Sequence, residues 1–218
     1  MVGIGKHYTV GGQTVKALDG VDFAVAQGEM VAILGPSGSG KSTLMNILYG
    51  ILTPTAGQVL VAGERVEGPN PHIGYMLQQD NLLEWRTVRQ NVLFGLEIRR
   101  NLTPATRARA DRLLETYGLS EFADRHPSQL SGGMRQRVMI AIALACSPRL
   151  IIADEPTGNI DPKMSMEMMN QLIYIQQTLK KTVIVVTHEL YLVKYFRQRV
   201  IKLDHGKIVS DTPGGVIE

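Results

Sequence analysis

The feature that most constrains this chain is a glycine-rich segment at residues 35–43, which directly follows a short apolar run. Its sequence, GPSGSGKST, fits the pattern G-x-x-x-x-G-K-[ST]. The apolar run is Met30–Leu34, and Lys41–Tyr49 has the character of a helix that ends at Gly50. A buried strand, a glycine-rich turn and a helix in this order predict an α/β unit built on a parallel sheet.

The residue types of this segment suit the phosphates of a nucleotide. Glycines let the backbone curl so that its N–H groups point inwards, and the following helix presents its positive end. In this pattern Lys41 reaches the β- and γ-phosphates, and the hydroxyl of Ser42 coordinates Mg²⁺. A chance match arises in about one per cent of chains of this length, so a turn without a ligand is the weaker interpretation. The predicted phosphate-binding residues are Gly35, Pro36, Ser37, Gly38, Ser39, Gly40, Lys41, Ser42 and Thr43.

A pair of acids ends another apolar run. Leu150–Ala153 is apolar and continuous, and Asp154 and Glu155 follow at once. Side chains at the carboxyl end of a buried strand lie where open α/β sheets bind ligands. Asp154 would hold Mg²⁺, directly or through water, and Glu155 would act on the attacking water as general base. An acidic turn explains the pair equally well in isolation, but its combination with the phosphate-binding segment favours a function.

Composition excludes several other classes of protein. The 218 residues include 23 basic and 20 acidic side chains, and the net charge of +3 does not mark a nucleic-acid-binding protein. The single cysteine, Cys146, can form neither an internal disulfide nor a zinc cluster, and its apolar surroundings favour a small core residue. No apolar stretch approaches the ~18 residues of a membrane span, and no signal-peptide pattern opens the sequence. A role at a membrane is therefore expected to come through a partner.

The rest of the chain alternates between strand and helix patterns, with a helical insert. Two strand-like stretches open the sequence, the second at Ala17–Val25, and short strands are predicted at Gln58–Ala62 and Ile73–Leu77. Helix-type spacing dominates from Val88 to Leu119, where Thr103-Pro104 is a typical helix start. Beyond the insert the pattern predicts a strand at Leu150–Ala153, a helix from Pro162 to Leu179 and a strand at Thr182–Thr187.

The segment Leu130-Ser131-Gly132-Gly133-Met134-Arg135-Gln136 lies between the two chemical features. Ser131 is a typical helix cap and the glycines expose backbone N–H groups, so this helix start also suits phosphate. With this segment the chain closely resembles the ATP-binding-cassette (ABC) ATPases over nearly its whole length. The motif order is that of the family: phosphate loop, glutamine loop, signature, carboxylate pair, D-loop and switch histidine. The resemblance makes Ser131, Gly132, Gly133 and Gln136 the signature, which completes the ATP site of the opposite subunit.

The resemblance assigns the other site residues by position. Gln78, with Gln79 as the weaker alternative, is the glutamine-loop residue, which acts on Mg²⁺ or water and senses the membrane partner. Asp161 belongs to the D-loop, and His188, which directly follows an apolar strand, contacts the γ-phosphate. Tyr8 resembles the aromatic residue that stacks on adenine, although a tyrosine near a strand end commonly serves packing alone.

The resemblance also implies an architecture and a mechanism. It implies one ABC ATPase domain over residues 1–218: an α/β P-loop NTPase core with an N-terminal antiparallel β subdomain (1–85 and 131–218), and an inserted helical subdomain (86–130). ATP and Mg²⁺ are the implied cofactors, and Lys41, Glu155 and His188 the catalytic residues. The implied partners are a second copy or a related ATPase, joined head to tail, and an integral membrane permease or signalling subunit. The implied location is cytoplasmic, peripheral on the cytoplasmic face of the cell membrane.

Different stretches of the chain resemble different subgroups of this family. Residues 15–48 are similar to macrolide-export and lipoprotein-release ATPases, and residues 75–99 to nitrate, sulfonate and taurine importers. Residues 135–157 resemble oligopeptide importers, and residues 158–218 the cell-division ATPase that partners a membrane protein. Two origins fit such a mixture, a divergent natural member and an engineered or computationally generated sequence. The mixture indicates no cargo.

Three other functions stay open at this point. The first is an ATPase of the same family that signals through a membrane protein to a cell-wall enzyme, which the C-terminal resemblance favours. The second is a soluble member that acts on ribosomes or DNA; such members usually have two cassettes or a long coiled coil, and the insert shows no sustained heptads. The third is a non-enzymatic, nucleotide-gated module, which would lack the general base or the signature.

Overall fold

A computed structural model describes residues 1–78, 80–158 and 161–215 of the chain. The strands are β1 Val2–Val10, β2 Gln13–Val21, β3 Met30–Leu34, β4 Ala56–Gln58, β5 Leu60–Val61, β6 Glu64–Arg65, β7 Ile73–Met76, β8 Leu150–Asp154, β9 Thr182–Thr187, β10 Arg199–Asp204 and β11 Lys207–Thr212. The helices are α1 Lys41–Tyr49, α2 Val88–Ile98, α3 Pro104–Thr116, α4 Gly132–Ala145, α5 Pro162–Gln177 and α6 Leu190–Phe196. Within these ranges, no helix is long and apolar enough to cross a membrane.

The main sheet has the strand order β11-β10-β3-β9-β8-β7. Neighbours from β10 to β7 pair in parallel, and β11 is an antiparallel edge strand on β10. Every residue of β3 and of β8 is buried, as expected for parallel strands covered on both faces. The carboxyl ends of these strands meet at one edge, so the segments that follow β3, β8 and β9 are brought together there.

Helices cover the two faces of this sheet and divide the core into two apolar layers. Ile152 of β8 packs in the layer beneath α1, together with Leu44. Its neighbours Ile151 and Ala153 point the other way, into the layer formed with α2 to α5. This alternation follows from the two-residue period of a strand, and it fixes which side chains of β8 can face the helix that carries Lys41.

A smaller antiparallel sheet, with the order β2-β1-β4, confirms the predicted N-terminal β subdomain. The expected strand at Ala17–Val25 is shifted, because pairing with β1 starts at the Gly11-Gly12 turn and extends β2 back to Gln13. The exposed, polar start of β2 has no apolar alternation that would mark it as a strand. The expected strand at 58–62 is divided between β4 and β5, which belong to different sheets.

The helical insert consists of α2 and α3, both packed on α4. Each begins with a reciprocal capping box, formed by Thr87 with Gln90 and by Thr103 with Thr106. Pro104 occupies the first turn of α3, which confirms the predicted helix start. These caps satisfy N–H groups at the start of each helix, so both starts are defined by local sequence.

Arg199, on β10, joins the edge strand β11 to the segment that precedes β3. Its guanidinium donates to both carboxylate oxygens of Asp211 at 2.7 and 2.6 Å, to Glu29 at 3.0 Å and to the carbonyl of Ala24 at 2.8 Å. The hydrogen bond from Arg199 holds the pKa of Asp211 below its usual range. Stability from this pair is therefore present above the unfolded pKa of the aspartate and is lost as the pH falls through the folded pKa.

We expect Arg199→Met to lower the free energy of unfolding at pH 7 by about 1–2 kcal/mol, a value reduced by the partial exposure of the pair. The difference from the unsubstituted chain should shrink at about pH 3, below the ordinary aspartate pKa. Urea unfolding at both pH values measures this. Arg65→Met, in an exposed pair with Glu67, is the matched control and should change stability by less than about 0.5 kcal/mol. An equal loss at both pH values would show that packing, and not charge, accounts for the effect.

Candidate nucleotide-binding site

The loop between β3 and α1 has the shape of an anion cradle. Gly40 lies at φ 104°, in the left-handed region, and is the N-cap of α1 without a side-chain hydrogen bond to the first turn. A Cβ at Gly35 would lie 2.2 Å from the carbonyl oxygen of Leu203, so this position accepts only glycine. The Oγ of Ser39 is buried and has no hydrogen-bond partner among the described residues. The loop therefore offers N–H and hydroxyl donors around a helix N-terminus.

The loop is also tied to the rest of the molecule at Gly206, in the turn between β10 and β11. The N–H of Gly206 donates to the carbonyl of Ser39 at 3.0 Å, and the carbonyl of Gly206 accepts from the N–H of Asp19 at 2.9 Å. A Cβ at Gly206 would lie 2.6 Å from the carbonyl oxygen of Ala17. Two segments distant in sequence, the turn at Gly206 and the β2 residues 17–19, thus converge on the phosphate-binding loop.

Lys41 lies inside this loop, with 8% of its surface exposed. Its ammonium donates to the carbonyls of Gly35 at 2.7 Å and Pro36 at 3.0 Å. The same nitrogen is 4.0 Å from Oε1 of Glu155. Ser42 follows at the exposed second position of α1. The cation is thus held at the mouth of the loop and beside the acid pair.

The two oxygens of Asp154 have different environments. Oδ2 accepts a hydrogen bond from the hydroxyl of Tyr75 at 3.0 Å, whereas Oδ1 is buried and has no partner among the described residues. Burial raises the pKa of Asp154, and the charge of Glu155 adds to this, against the opposite effects of the Tyr75 hydrogen bond and of Lys41. A buried carboxylate oxygen without a donor suits a metal cation. Ser42 and Asp154 both offer oxygen donors, which are the ligand type that Mg²⁺ prefers.

Glu155 has an unusual backbone that turns its side chain towards the loop. Its φ is 48°, in the left-handed region, and its N–H donates to the carbonyl of Val186 at 2.9 Å. This backbone costs on the order of 1 kcal/mol or more and is held by the surrounding contacts. Its Oε2 lies 2.8 Å from Nδ1 of His188, whose side chain is 60% exposed. Lys41, Glu155 and His188 therefore form a continuous chain of contacts.

Gln78 lines a cavity of about 380 Å³ at the end of β7. Gly132, Gln136 and Gly158 line the same cavity, so Gln78 lies beside the predicted signature segment of its own chain. Asp161 caps α5 by accepting from the N–H of Met164 at 3.0 Å. Outside the described residues lie Gln79, the alternative glutamine-loop residue, and Asn159 and Ile160, which directly precede the predicted D-loop residue Asp161.

Ser131 caps α4, with its hydroxyl accepting from the N–H of Met134 at 3.3 Å. Ser131 and Gly132 are exposed and Gly133 is half-buried. Among the hydrogen bonds and ion pairs of the described residues, none joins the 131–136 segment to the 35–43 loop. The structure therefore leaves the signature at the surface instead of adding it to the phosphate loop of the same chain.

Tyr8 lies on β1, where 39% of it is exposed. The ammonium of Lys6 is 5.4 Å from the centre of its ring. Its partner across the hairpin is Val15, two residues before Ala17, whose carbonyl oxygen would be 2.6 Å from a Cβ at Gly40. Tyr8 is thus carried by the strand pair that borders the phosphate-binding loop.

The structure adds an ionic contact that the motifs do not indicate. Arg135, in the first turn of α4, donates to both oxygens of Asp80 at 2.6 and 3.1 Å and to Glu84 at 2.8 Å. The hydrogen bond from Arg135 holds the pKa of Asp80 below its usual range. This contact fastens the signature helix to the segment that follows Gln78. The pairing spans too much sequence for local spacing to reveal it.

Comparison with known proteins finds similar sequences and similar folds. The family model "ABC transporter" matches residues 18–158. The methionine import ATP-binding protein MetN of Geobacillus kaustophilus is 40% identical, over 94% of this chain and 62% of that protein. The cell division ATP-binding protein FtsE of Mycobacterium tuberculosis is 42% identical, over 92% of this chain and 90% of that protein. Among solved structures, the dimeric ATP-binding cassette MJ0796 bound to ADP and Pi superposes with a TM-score of 0.84, at 34% identity and 97% coverage of both chains.

The fold and site define a P-loop nucleotide-binding α/β protein. Within that class, the chain belongs to the ABC transporter ATPase family. Relatives named for import and for cell division match it at nearly equal identity, which confirms that the chain resembles more than one subgroup of the family. The chain spans 62% of the length of the import relative and 90% of the length of the cell-division relative.

Proposed function

We propose that this chain binds ATP with Mg²⁺ and hydrolyses the nucleotide at a site completed by a second copy. The observation that carries the proposal is the chain of contacts among Lys41, Glu155 and His188 beside the buried, unpartnered Oδ1 of Asp154. A cation, a candidate base, a polar ring and a metal-ligating oxygen meet at the N-terminus of α1. This is the set of groups that phosphoryl transfer to water requires.

The phosphate-binding step uses the loop and its lysine. The N–H groups at the start of α1 receive phosphate oxygens, and the Lys41 ammonium exchanges its bonds to the Gly35 and Pro36 carbonyls for bonds to phosphate. Ser42 and Asp154 supply oxygen ligands for Mg²⁺, with Gln78 as a further ligand. The bound Mg²⁺ supplies charge neutralisation at the phosphates. Tyr8 contributes an aromatic face for adenine.

In the hydrolytic step Glu155 accepts a proton from water while the water oxygen forms a bond to the γ-phosphorus. The bond between that phosphorus and the β–γ bridging oxygen breaks, and ADP and phosphate result. His188, in contact with Glu155, is placed to hydrogen-bond a γ-phosphate oxygen. Most of the rate acceleration comes from positioning and charge stabilisation.

The exposed signature supports a composite site. Ser131 and Gly132 stand at the surface at a helix N-terminus, where their donors can reach the nucleotide of a second molecule. Gln136 and the D-loop residue Asp161 belong to the same proposed interface. A two-fold arrangement repeats this contact twice, so each copy gives a phosphate loop to one site and a signature to the other. The dimeric state of the related cassette MJ0796 supports this arrangement.

Dimer closure and opening would move an integral membrane partner, with the chain peripheral on the cytoplasmic face. The first candidate partner is a transport permease, as the name of the import relative suggests. The second is a signalling subunit without transport, to which the 42% identity with the cell-division relative points. Co-purification with each class of membrane protein, followed by nucleotide-dependent substrate uptake, separates the two.

The composite site is tested by mixing variants. Lys41→Ala and Ser131→Arg should each be inactive alone, because every dimer has two damaged sites. Their mixture should recover about a quarter of the original hydrolysis rate, since half of the randomly formed dimers contain one intact site. The rate of the unsubstituted chain should also rise faster than linearly with protein concentration.

Lys41→Ala mixed with Glu155→Gln is the matched control. Lys41 and Glu155 lie 4.0 Å apart in the same chain, so they serve the same site and this mixture should stay inactive. A linear dependence on concentration, with no recovery in the first mixture, would contradict the composite site.

A further inference from the structure

Tyr75 contacts Asp154, the candidate metal ligand, and was not among the site residues predicted from the sequence. It lies on β7, in register with Ile152 of β8, and Asp154 is two residues further along β8 on the same face. The Tyr75 hydroxyl lies 3.0 Å from Oδ2 of Asp154. That bond occupies one carboxylate oxygen and leaves the buried Oδ1 as the one without a partner among the described residues.

The ring of Tyr75 is itself held in place. It packs against the ring of Tyr49, with centres 5.2 Å apart and planes inclined at 52°. Tyr49 is the last residue of α1, the helix whose first residues are Lys41 and Ser42. Burial, with the charge of Asp154 adding to it, raises the pKa of Tyr75, so the hydroxyl remains a donor at neutral pH. The donor is thus fixed from the sheet on one side and from the phosphate-binding helix on the other.

We propose that Tyr75 is a positioning residue for the metal site: its hydroxyl fixes Oδ2 of Asp154 and so presents Oδ1 to the divalent cation. The inference rests on the proposed function and deepens it. A carboxylate held on one oxygen loses rotational freedom before the metal arrives, so less entropy is lost on binding. Hydrogen-bond partners behind metal ligands commonly change metal affinity by about 10–100-fold when removed.

The test measures metal affinity and not turnover. Mn²⁺ serves as the probe, and its free signal is followed by electron paramagnetic resonance in the presence of saturating ADP. Tyr75→Phe, which keeps the ring and removes the hydroxyl, should raise the Mn²⁺ dissociation constant by about tenfold. Tyr75→Met should give a comparable rise, and ADP affinity in excess EDTA should change less than about twofold.

Tyr49→Phe is the matched control, because it removes a hydroxyl from the other ring of the pair. It should leave Mn²⁺ affinity unchanged, even where it lowers the melting temperature. Folded Tyr75→Phe with the original Mn²⁺ affinity, or an equal shift in Tyr49→Phe, would overturn the role of Tyr75. Failure of the unsubstituted chain to bind ADP would instead overturn the proposed function, and this inference with it.

Discussion

Glu155→Gln should abolish ATP hydrolysis while nucleotide binding persists. The carboxylate lies 4.0 Å from the Lys41 ammonium and 2.8 Å from Nδ1 of His188, which places it at the mouth of the phosphate loop. An amide keeps the size and the contact with His188 but cannot take a proton from water. The expected loss of kcat is about 10²–10⁴-fold. Phosphate release and equilibrium binding of ATP, measured on the same preparation, separate chemistry from binding.

Trapping of a dimer is the second readout for this variant. A chain that binds ATP without hydrolysing it should accumulate in the ATP-bound dimer, which sedimentation in the presence of ATP and Mg²⁺ detects. Glu64→Gln, an exposed acid on β6, is the charge-matched control and should retain the original rate. Turnover by Glu155→Gln within about tenfold of the original rate would exclude Glu155 as the general base.

Lys41→Ala should weaken nucleotide binding itself. Lys41 is 8% exposed, and its ammonium donates to the carbonyls of Gly35 and Pro36. Its charge therefore lies where we propose that the phosphates bind. Loss of charge-assisted hydrogen bonds to phosphate should raise the dissociation constant for ATP by about a hundredfold. Titration calorimetry measures the change directly.

The control for this substitution is Lys202→Ala, which removes an exposed lysine of β10 and should leave ATP affinity unchanged. The melting temperature of Lys41→Ala, compared with that of the original chain, shows whether loss of the two hydrogen bonds to these carbonyls also destabilises the protein. Affinity within about threefold of the original would contradict a direct contact between Lys41 and the phosphates.

Elements with a uniform local signal were predicted correctly from the sequence. β3, α1 and β9 have the expected bounds, because a buried apolar strand and a helix between glycines are each marked by their own residues. The sequence analysis did not identify β10, β11 or α6. β10 alternates irregularly between buried and exposed residues, and β11 is mostly exposed. β10 pairs with β3, far away in the chain, and β11 pairs in turn with β10, so no local pattern encodes the place of either strand in the sheet.

The candidate site was likewise predicted only in part from the sequence. Sequence reasoning named Lys41, Asp154, Glu155 and His188, and the structure brings these residues together at one sheet edge. Their assigned chemical roles remain predictions. Sequence reasoning did not name Tyr75, because the partner of its hydroxyl is 79 residues away and a tyrosine in a strand is common. The left-handed backbone of Glu155 could not be predicted either, since glutamate has no preference for positive φ.

The contact between Gly206 and the phosphate-binding loop has a consequence for how the molecule is made. Ser39 leaves the ribosome about 170 residues before Gly206 does, a delay on the order of ten seconds at usual rates of synthesis. During that interval the nascent chain carries the whole glycine-rich motif without the N–H that the Ser39 carbonyl later accepts. If nucleotide binds this loop as proposed, we expect the stability that it adds by mass action to favour chains in which the turn at Gly206 has already been synthesised.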